Sequence, residues 1–256
     1  MTIDRPSAAL IPSLRRLWRE AFGDTETFLD DFFALAYSSD RARCAVENGE
    51  AVGALYWFDA EVEGQRLAYL YAIATAADRR GQGICRRLME DTHTHLSALG
   101  YAGAILVPSE PSLFDFYARF GYAPCAPMHV MTCEAASEAV TLHRVSAEEY
   151  GALRDAHLPR GGVRQEGVSL RFLACQAELY AGDGFVLAAR KEADALVAAE
   201  LLGEPRKLPA LAPAILRALG CRTGRFRIGG GDAFAMIRPL TDVPVKKPSY
   251  FALAFD

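Results

Sequence analysis

The part of the chain best suited to chemistry is a short basic turn with two glycines, Arg79-Arg80-Gly81-Gln82-Gly83-Ile84-Cys85. It joins an apolar run over residues 67–75, typical of a buried strand, to a segment over 82–99 whose apolar residues recur at helical spacing. A helix that opens directly after a strand presents unpaired backbone N–H groups, which favour a phosphate. Glycine permits positive φ and close approach of a ligand. We therefore predict a phosphate site with N–H donors from Gly81, Gln82, Gly83 and Ile84 and with Arg80 beside them.

Two common phosphate-binding loops do not fit this turn, because it contains neither G-x-x-x-x-G-K-[ST] nor G-x-G-x-x-G. From Arg80 to Cys85 it resembles the R-x-x-G-x-[GA] turn with which the GNAT superfamily of N-acetyltransferases binds pyrophosphate. Cys85 stands where the superfamily has glycine or alanine. Short Arg/Gly turns are common, so on its own the motif favours a surface turn among solvated arginines.

The elements around the turn follow the order of that superfamily over most of residues 1–135. We predict helices over 11–21 and 28–37, hairpin strands over 43–47 and 51–58 joined by Asn48-Gly49, a strand over 67–75, a helix over 82–99, a strand over 103–107 and a helix over 111–120. The last helix ends in Phe116-Tyr117-Ala118-Arg119-Phe120-Gly121-Tyr122, which resembles the superfamily's F-Y-x-x-x-G-F motif. Two spaced motifs on matching elements make residues 1–135 similar to a GNAT acetyltransferase domain.

The resemblance implies acetyl-CoA as the donor, a primary amine of a small molecule or peptide as the acceptor, and direct transfer without a covalent enzyme intermediate. Strand backbone at Ile73, Ala74 and Thr75 would hold the pantetheine arm, and one of its N–H groups would face the oxyanion. Cys85 would complete the cofactor-binding turn. Ser109, near the end of the following strand, would contact the cofactor.

Tyr117 matches the position of the superfamily's acidic tyrosine and is the predicted general acid. A phenol has an ordinary pKa of about 10, so it is protonated at neutral pH and can donate to the departing thiolate. The alternative is an aromatic helix face packed in the core, formed by Leu113, Phe116, Tyr117 and Phe120. We assign three of these to the core and only Tyr117 to function.

The general base is left open, because the predicted central strand carries no acidic residue. Tyr69 and Tyr71 alternate with apolar neighbours, so they either line the cleft or pack in the core. Glu47, Glu61 and Glu63 lie on nearby strands or turns, and Glu61 and Glu63 have a solvated setting. A water chain that ends in bulk solvent is an equal alternative.

Composition places the chain among cytoplasmic enzymes. Of 256 residues, 51% are hydrophobic and 23% charged, an ordinary globular balance, and neither a membrane span nor a signal pattern is present. The six cysteines contain no C-x-x-C and are expected to be reduced thiols. His93 and His95 lie two apart on a predicted helix and point to different sides, so we expect no metal site.

The charge is divided unevenly between the halves. Residues 1–135 carry 12 basic and 18 acidic side chains, a net of −6, whereas residues 136–256 carry 16 and 14, a net of +2. A basic turn within an acidic surface suits an anionic cofactor that meets a cationic amine. It argues against nucleic acid as a partner. We expect no membrane partner and leave a homo-oligomer open.

The second half resembles a degenerate copy of the first. Ala218-Leu219-Gly220-Cys221 matches Ala98-Leu99-Gly100-Tyr101. The predicted order repeats, with helices over 148–157 and 169–180, strands over 185–189 and 195–202, a helix over 208–219 and a strand over 225–228. The expected fold class is α/β with a mixed sheet, the acyl-CoA N-acyltransferase fold in two tandem copies, residues 1–135 and 136–256, with the boundary near 133–140. Any α+β domain could show this order, which is the alternative.

The turn of the second copy has a different composition, Glu204-Pro205-Arg206-Lys207-Leu208-Pro209. It contains no glycine, and proline removes N–H donors, so we expect no cofactor cradle there. Gly229-Gly230-Gly231 comes too late to replace the missing turn and is predicted to be a flexible hairpin turn.

Tandem copies of this kind resemble bacterial two-domain N-acetyltransferases, including the enhanced-intracellular-survival group, whose sterol-carrier-like third domain we do not expect here. Pro108-Ser109-Glu110-Pro111 and the following helix are similar to the corresponding segment of that group. The acceptor stays open among amino acids, polyamines, aminoglycosides and peptide N-termini. Two other functions stay open, a non-catalytic acyl-CoA-binding protein of regulation or assembly, and a module that binds another phosphate ligand.

Overall fold

The computed structural model describes residues 1–255, which build one mixed sheet of 13 strands with helices on its faces. The strands are β1 Thr2–Asp4, β2 Ala42–Glu47, β3 Glu50–Val62, β4 Gln65–Thr75, β5 Gly103–Leu106, β6 Ala123–Glu134, β7 Leu142–Arg144, β8 Arg164–Gln165, β9 Glu178–Gly182, β10 Phe185–Glu192, β11 Ala195–Gly203, β12 Thr223–Gly229 and β13 Asp232–Pro239. The helices are α1 Ile11–Phe22, α2 Glu26–Asp31, α3 Ile84–Ala98, α4 Ser112–Ala118, α5 Ala147–His157, α6 Val168–Gln176 and α7 Leu208–Leu219. None of the helices in residues 1–255 has the length and apolar character needed to cross a bilayer.

The first half of the sheet runs β1-β2-β3-β4-β5 and is covered on both faces. On one face α1 and α2 bury an aromatic-rich cluster that includes Trp18 and Phe32. On the other face α3 and α4 cover Trp57 and Leu70, and Leu88 of α3 packs among them. Alternate residues of β4 therefore contribute to different cores, as expected for a central strand.

The two halves exchange strands at the middle of the sheet, where the order is β5-β13-β6-β12. β13 is antiparallel to both β5 and β6, and β6 is antiparallel to β12 as well. β13 thus fills the gap between two strands of the first half. The predicted hairpin turn at 229–231 is wrong, because β12 and β13 are not neighbours; β6 lies between them.

The helices α3 and α7 end in the same way, which supports a structural repeat between the two halves of the chain. At the end of α3 the Tyr101 N–H donates to the Leu96 carbonyl at 3.1 Å, and at the end of α7 the Cys221 N–H donates to the Leu216 carbonyl at 2.9 Å. In both places the preceding glycine has positive φ, which ends the helix. β4 is parallel to β5, and β11 is parallel to β12, as a repeated unit requires. These correspondences support two copies of one strand–helix–strand arrangement within the sheet.

Most predicted elements are present, and the differences have physical causes. The predicted helix over 28–37 is α2 followed by a π-helical turn, Phe32–Ala36. The predicted helix over 169–180 ends at Gln176, because β9 begins at Glu178 and pairs with β10. The expected boundary near 133–140 overlaps the end of β6, whose strand pattern is obscured by Pro124 and Pro127.

A buried ion pair joins α5 to β11 in the second half. Arg154 and Glu200 are both fully buried, and Arg154 donates from Nε to Glu200 Oε2 at 2.8 Å and from Nη2 to Oε1 at 3.0 Å. The hydroxyl groups of Tyr150 and Tyr250 also donate to this carboxylate, at 2.7 and 3.0 Å. The network fixes the C-terminal segment, because Tyr250 belongs to it.

Arg154→Met is expected to lower the free energy of unfolding by about 3–5 kcal/mol, because it leaves the Glu200 carboxylate buried without its cation. Urea denaturation monitored by circular dichroism measures this loss. Arg222→Ala breaks the exposed Arg222–Asp194 pair in the same half and should leave the free energy of unfolding nearly unchanged. Equal losses in the two variants would contradict the assignment of Arg154 as a buried anchor.

Candidate functional site

The basic turn adopts the conformation that its glycines permit. A single 3₁₀ turn, Ala77–Arg79, follows β4, and Gly83 is the N-cap of α3. Gly81 and Gly83 have φ of 76° and 74°, a left-handed conformation that strains other residues. A Cβ at either position would meet no heavy atom within 4 Å, so the surface above the turn is open.

The turn carries a run of unpaired donors. Within residues 1–255 the backbone N–H groups of 81–86 donate to no backbone carbonyl, and no side chain caps α3. The first paired N–H is that of Arg87, which donates to the Gly83 carbonyl at 3.1 Å. Arg80 lies beside the turn, and its Nε donates to the Thr75 carbonyl at 3.2 Å. Unpaired N–H groups at the positive end of a helix form an anion cradle, and an open surface leaves room for a diphosphate.

Two carboxylates hold the segment that leads into this cradle. The Ala77 N–H donates to Glu20 Oε1 at 2.5 Å, which ties the segment to α1. Arg79 Nη2 lies 3.3 Å from Glu47 Oε2. Glu47 is therefore paired with a cation, so it serves the turn as an anchor and is not poised as a base.

Glu61 and Glu63 also have structural roles away from the cleft. Glu61 Oε1 accepts a hydrogen bond from the Gly64 N–H at 3.2 Å in the β3–β4 turn. Glu63 lies 3.2 Å from Arg160 Nε in the second half. Neither is placed to take a proton from an amine bound beside β4.

β4 and β5 separate next to the cradle. Their parallel pairing ends at Tyr69 and Ile105, yet β4 continues to Thr75. The Ala76 N–H donates to the Val52 carbonyl at 3.0 Å on the β3 side, so the N–H and C=O groups of Thr75 face the side that β5 has left. The Thr75 carbonyl on this side accepts the hydrogen bond from Arg80 Nε. A slot with exposed strand backbone on one wall suits an extended, amide-containing arm.

A β-bulge occurs in β4 at this slot. The pairing with β3 shifts register between Tyr71 and Ala74, and Ala72 has a φ of +48°. A bulge redirects backbone groups out of the regular ladder, and such sites are frequent beside active sites. β11 of the second half also shifts register, where it leaves its own parallel partner.

Tyr117 lies on α4 in the core between α3 and the sheet, and its side chain is 8% exposed. The same cluster contains Ile73 of β4 and Cys85 of α3, so the structure brings these three predicted site residues together. Burial raises the pKa of the Tyr117 phenol, and the nearby Cys85 thiol contributes further. Burial also raises the pKa of Cys85, to about 11. Both groups are therefore protonated at neutral pH.

The four residues of the α4 face all pack in or against one core cluster, and the role of Tyr117 stays a prediction. Tyr117 is as buried as Phe120, whereas Leu113 and Phe116 are only partly buried. Ser109 is exposed in the loop between β5 and α4, close in sequence to the slot. Tyr69 and Tyr71 belong to the opposite core and contact its aromatic rings, so they do not face Tyr117.

Sequence reasoning missed the segment at residues 250–255, which crosses from the second half to β4. Arg227 Nη1 donates to the Ala252 carbonyl at 2.8 Å, and Gln165 Nε2 donates to the Leu253 carbonyl at 3.0 Å. The Phe255 N–H then donates to the Tyr69 hydroxyl oxygen at 3.3 Å. The apolar run 250–255 contains Phe251, Leu253 and Phe255, an alternation that would have indicated a buried extended segment.

The corresponding turn of the second half offers no continuous run of free donors. The Lys207 N–H donates to the Glu204 carbonyl at 2.9 Å, and the Leu211 N–H donates to the Lys207 carbonyl at 2.9 Å. Lys207 Nζ lies 2.8 Å from Glu204 Oε2. Pro205 and Pro209 have no N–H at all, so this turn differs from the cradle in both donors and charge.

The chain is similar to known proteins in sequence over its first half and in fold over nearly its whole length. Residues 2–125 match the family model described as an acetyltransferase (GNAT) domain. No curated protein sequence matches the chain. Three solved structures have a similar fold, and their similarity extends through both halves of the chain. They are a GCN5-related N-acetyltransferase from Kribbella flavida (16% identity, TM-score 0.71, covering 93% of this chain and 72% of that one), a GCN5-related N-acetyltransferase from Anabaena variabilis (14%, 0.72, 94% and 73%) and Eis1 from Mycobacterium abscessus (15%, 0.66, 94% and 74%).

The sequence match and the structural likeness establish different things. The family model covers the strands and helices that build the cradle, the slot and the Tyr117 helix. At identities of 14–16% the solved structures establish the fold alone, and they do so over nearly the whole chain. Residues 2–125 are therefore similar in sequence to a GNAT acetyltransferase domain, and the chain as a whole has the fold of these solved structures.

Proposed function

We propose that the protein transfers an acetyl group from acetyl-CoA to a primary amine of a small molecule or peptide. The observation that carries this proposal is the cradle of unpaired N–H groups at residues 81–86, open to solvent and continuous with the slot beside β4. The diphosphate of acetyl-CoA fits such donors, and its pantetheine arm fits the strand backbone that β5 leaves exposed. Acetyl-CoA, when bound, supplies an activated thioester carbonyl.

The residues of the chain divide the remaining tasks. Backbone N–H groups at 81–86, with Arg80 beside them, hold the diphosphate. The backbone of Ile73, Ala74 and Thr75 aligns the arm, and an N–H group at the bulge stabilises the developing oxyanion. The Tyr117 hydroxyl donates a proton to the departing thiolate.

The second half is proposed to lack a cofactor site of its own, because its turn offers neither glycines nor a run of free donors. The tandem organisation therefore yields one active site per chain. The acidic surface of the first half favours a cationic acceptor. A soluble cytoplasmic setting and a homo-oligomer stay as predictions.

Isothermal titration with acetyl-CoA, with CoA and ATP as comparisons, tests the proposal. We expect micromolar binding of acetyl-CoA, about −8 kcal/mol, at one site per chain, with ATP weak. Two sites per chain would contradict the prediction that residues 136–256 bind no cofactor. Absence of binding would contradict acetyl-CoA as the cofactor. Tight ATP binding would favour a different phosphate ligand.

A non-catalytic acyl-CoA-binding protein is the second candidate, favoured by the absence of a carboxylate along β4 between Gln65 and Thr75. Thiol release across a panel of primary amines separates the two functions. Amine-dependent release of CoA supports the enzyme, and binding without release by any amine supports the regulator.

A further inference from the structure

The exchanged strand β13 reaches the turn that carries the proposed general acid. Arg238 of β13 pairs in register with Ala104 of β5, and its neighbour Ile237 pairs with Ala123 at the start of β6, so Arg238 lies beside the connection from α4 to β6. Its Nη1 donates to the Phe120 carbonyl, just beyond the last residue of α4. The guanidinium also borders Gly121, where an added Cβ would lie 3.7 Å from Nη1. A cation that binds carbonyls at the C-terminal end of a helix stabilises that end.

The same turn is held from the side of α3. The Tyr122 hydroxyl lies 2.8 Å from His93 Nε2, and both side chains are buried. Among the described residues His93 Nδ1 has no hydrogen-bond partner, so the bond to Tyr122 orients the imidazole. Burial and the charge of Arg238 lower the pKa of His93 to about 3, which keeps the ring neutral at working pH.

Both supports converge on Tyr117. Its carbonyl accepts hydrogen bonds from the N–H groups of Phe120 at 2.9 Å and Tyr122 at 3.3 Å, so one turn links the three residues. The Tyr117 and Tyr122 rings also meet edge-on, with centroids 6.0 Å apart. A displacement of this turn would therefore displace the Tyr117 phenol relative to α3 and the slot.

We propose that Arg238, supplied by the C-terminal half, acts with the His93–Tyr122 pair as a positioning unit for Tyr117, so that the half without a cradle completes the active site of the other. This inference rests on the proposed function of Tyr117 as the general acid. Arg238 touches neither substrate nor cofactor and is a positioning residue, as are His93 and Tyr122.

Arg238→Met and Tyr122→Phe test the proposal, with Arg225→Met on the exposed face of β12 as the matched control. A misplaced acid costs roughly 10- to 100-fold, so each test variant should lose that factor in kcat while the KM for acetyl-CoA stays within about twofold. Because both act through one turn, the double variant should lose little more than either single variant. Arg238→Lys, which keeps a cation, should recover part of the rate.

Amide hydrogen exchange over residues 112–122 gives a readout that does not depend on turnover. Exchange should accelerate in Arg238→Met and stay unchanged in Arg225→Met. An unchanged kcat in Arg238→Met, or a fully additive double variant, would overturn the proposal. If the native protein binds acetyl-CoA but acetylates no amine, the proposed function is wrong, whatever the role of Arg238. Unchanged hydrogen exchange over residues 112–122 in Arg238→Met would overturn the positioning role, whether or not the protein is an enzyme.

Discussion

Tyr117→Phe is expected to lower kcat about 10²–10⁴-fold, the usual cost of losing a positioned acid, with little change in affinity for acetyl-CoA. Phenylalanine keeps the ring that packs between α3 and the sheet, so the core stays intact. The hydroxyl alone is lost, and the departing thiolate must take its proton from water. Steady-state kinetics with a saturating amine, together with calorimetric titration of acetyl-CoA, measures both effects.

Tyr180→Phe is a matched control for this loss. It also removes one phenol hydroxyl, but from the second half, where Tyr180 donates to Glu178. Its kcat should equal that of the native protein. A Tyr117→Phe variant with native kcat would remove Tyr117 from the role of general acid, and a parallel loss in both variants would indicate a general loss of structure.

Gly83→Pro is expected to abolish measurable binding of acetyl-CoA. Proline fixes φ near −65°, whereas Gly83 has a φ of 74°, so the cradle must change shape. The substitution also removes one of the free N–H donors at the start of α3. Calorimetric titration measures the affinity, and the melting temperature shows whether the fold survives.

A milder pair of substitutions separates an effect on acetyl-CoA binding from an effect on the stability of the fold. Gly83→Ala and Gly220→Ala both place a side chain at positive φ, at 74° and 68°, with no heavy atom within 4 Å of the new Cβ. Each should cost a similar loss of stability, about 1–2 kcal/mol. Only Gly83→Ala should weaken acetyl-CoA binding. Native affinity in both Gly83 variants would show that the anion binds elsewhere.

Features set by local chemistry could be predicted from the sequence. Asn48 and Gly49 both have positive φ and join β2 to β3, as an Asn-Gly turn between alternating strands indicates. Gly81 and Gly83 take the left-handed conformation for the same local reason. The turn of the cradle depends on a few adjacent residues, so its conformation is encoded where it occurs. The catalytic roles assigned to Tyr117 and the cradle stay predictions.

Features set by distant pairing could not be predicted. β13 lies between β5 and β6 because its edges complement both strands, and no residue within 232–239 specifies that partner. The contact of Arg238 with the Phe120 carbonyl depends on this strand exchange, so it could not be predicted from the sequence either. The segment at 250–255 is fixed by Glu200, Arg227 and Gln165, which belong to three different elements. Only tertiary structure brings such groups together.

The strand exchange has a consequence for synthesis on the ribosome. Ile105 of β5 pairs with Ile237 of β13, so roughly 130 residues must be translated between the two partners. At about 5–20 residues per second this interval is on the order of 10 s. During it the edge of β5 and the apolar underside of α4 lack their partner, a state that invites aggregation and chaperone binding. Completion of the first half of the sheet thus depends on residues translated long after β5, and a chain terminated before β13 would leave the ribosome without the contact of Arg238 with the Phe120 carbonyl.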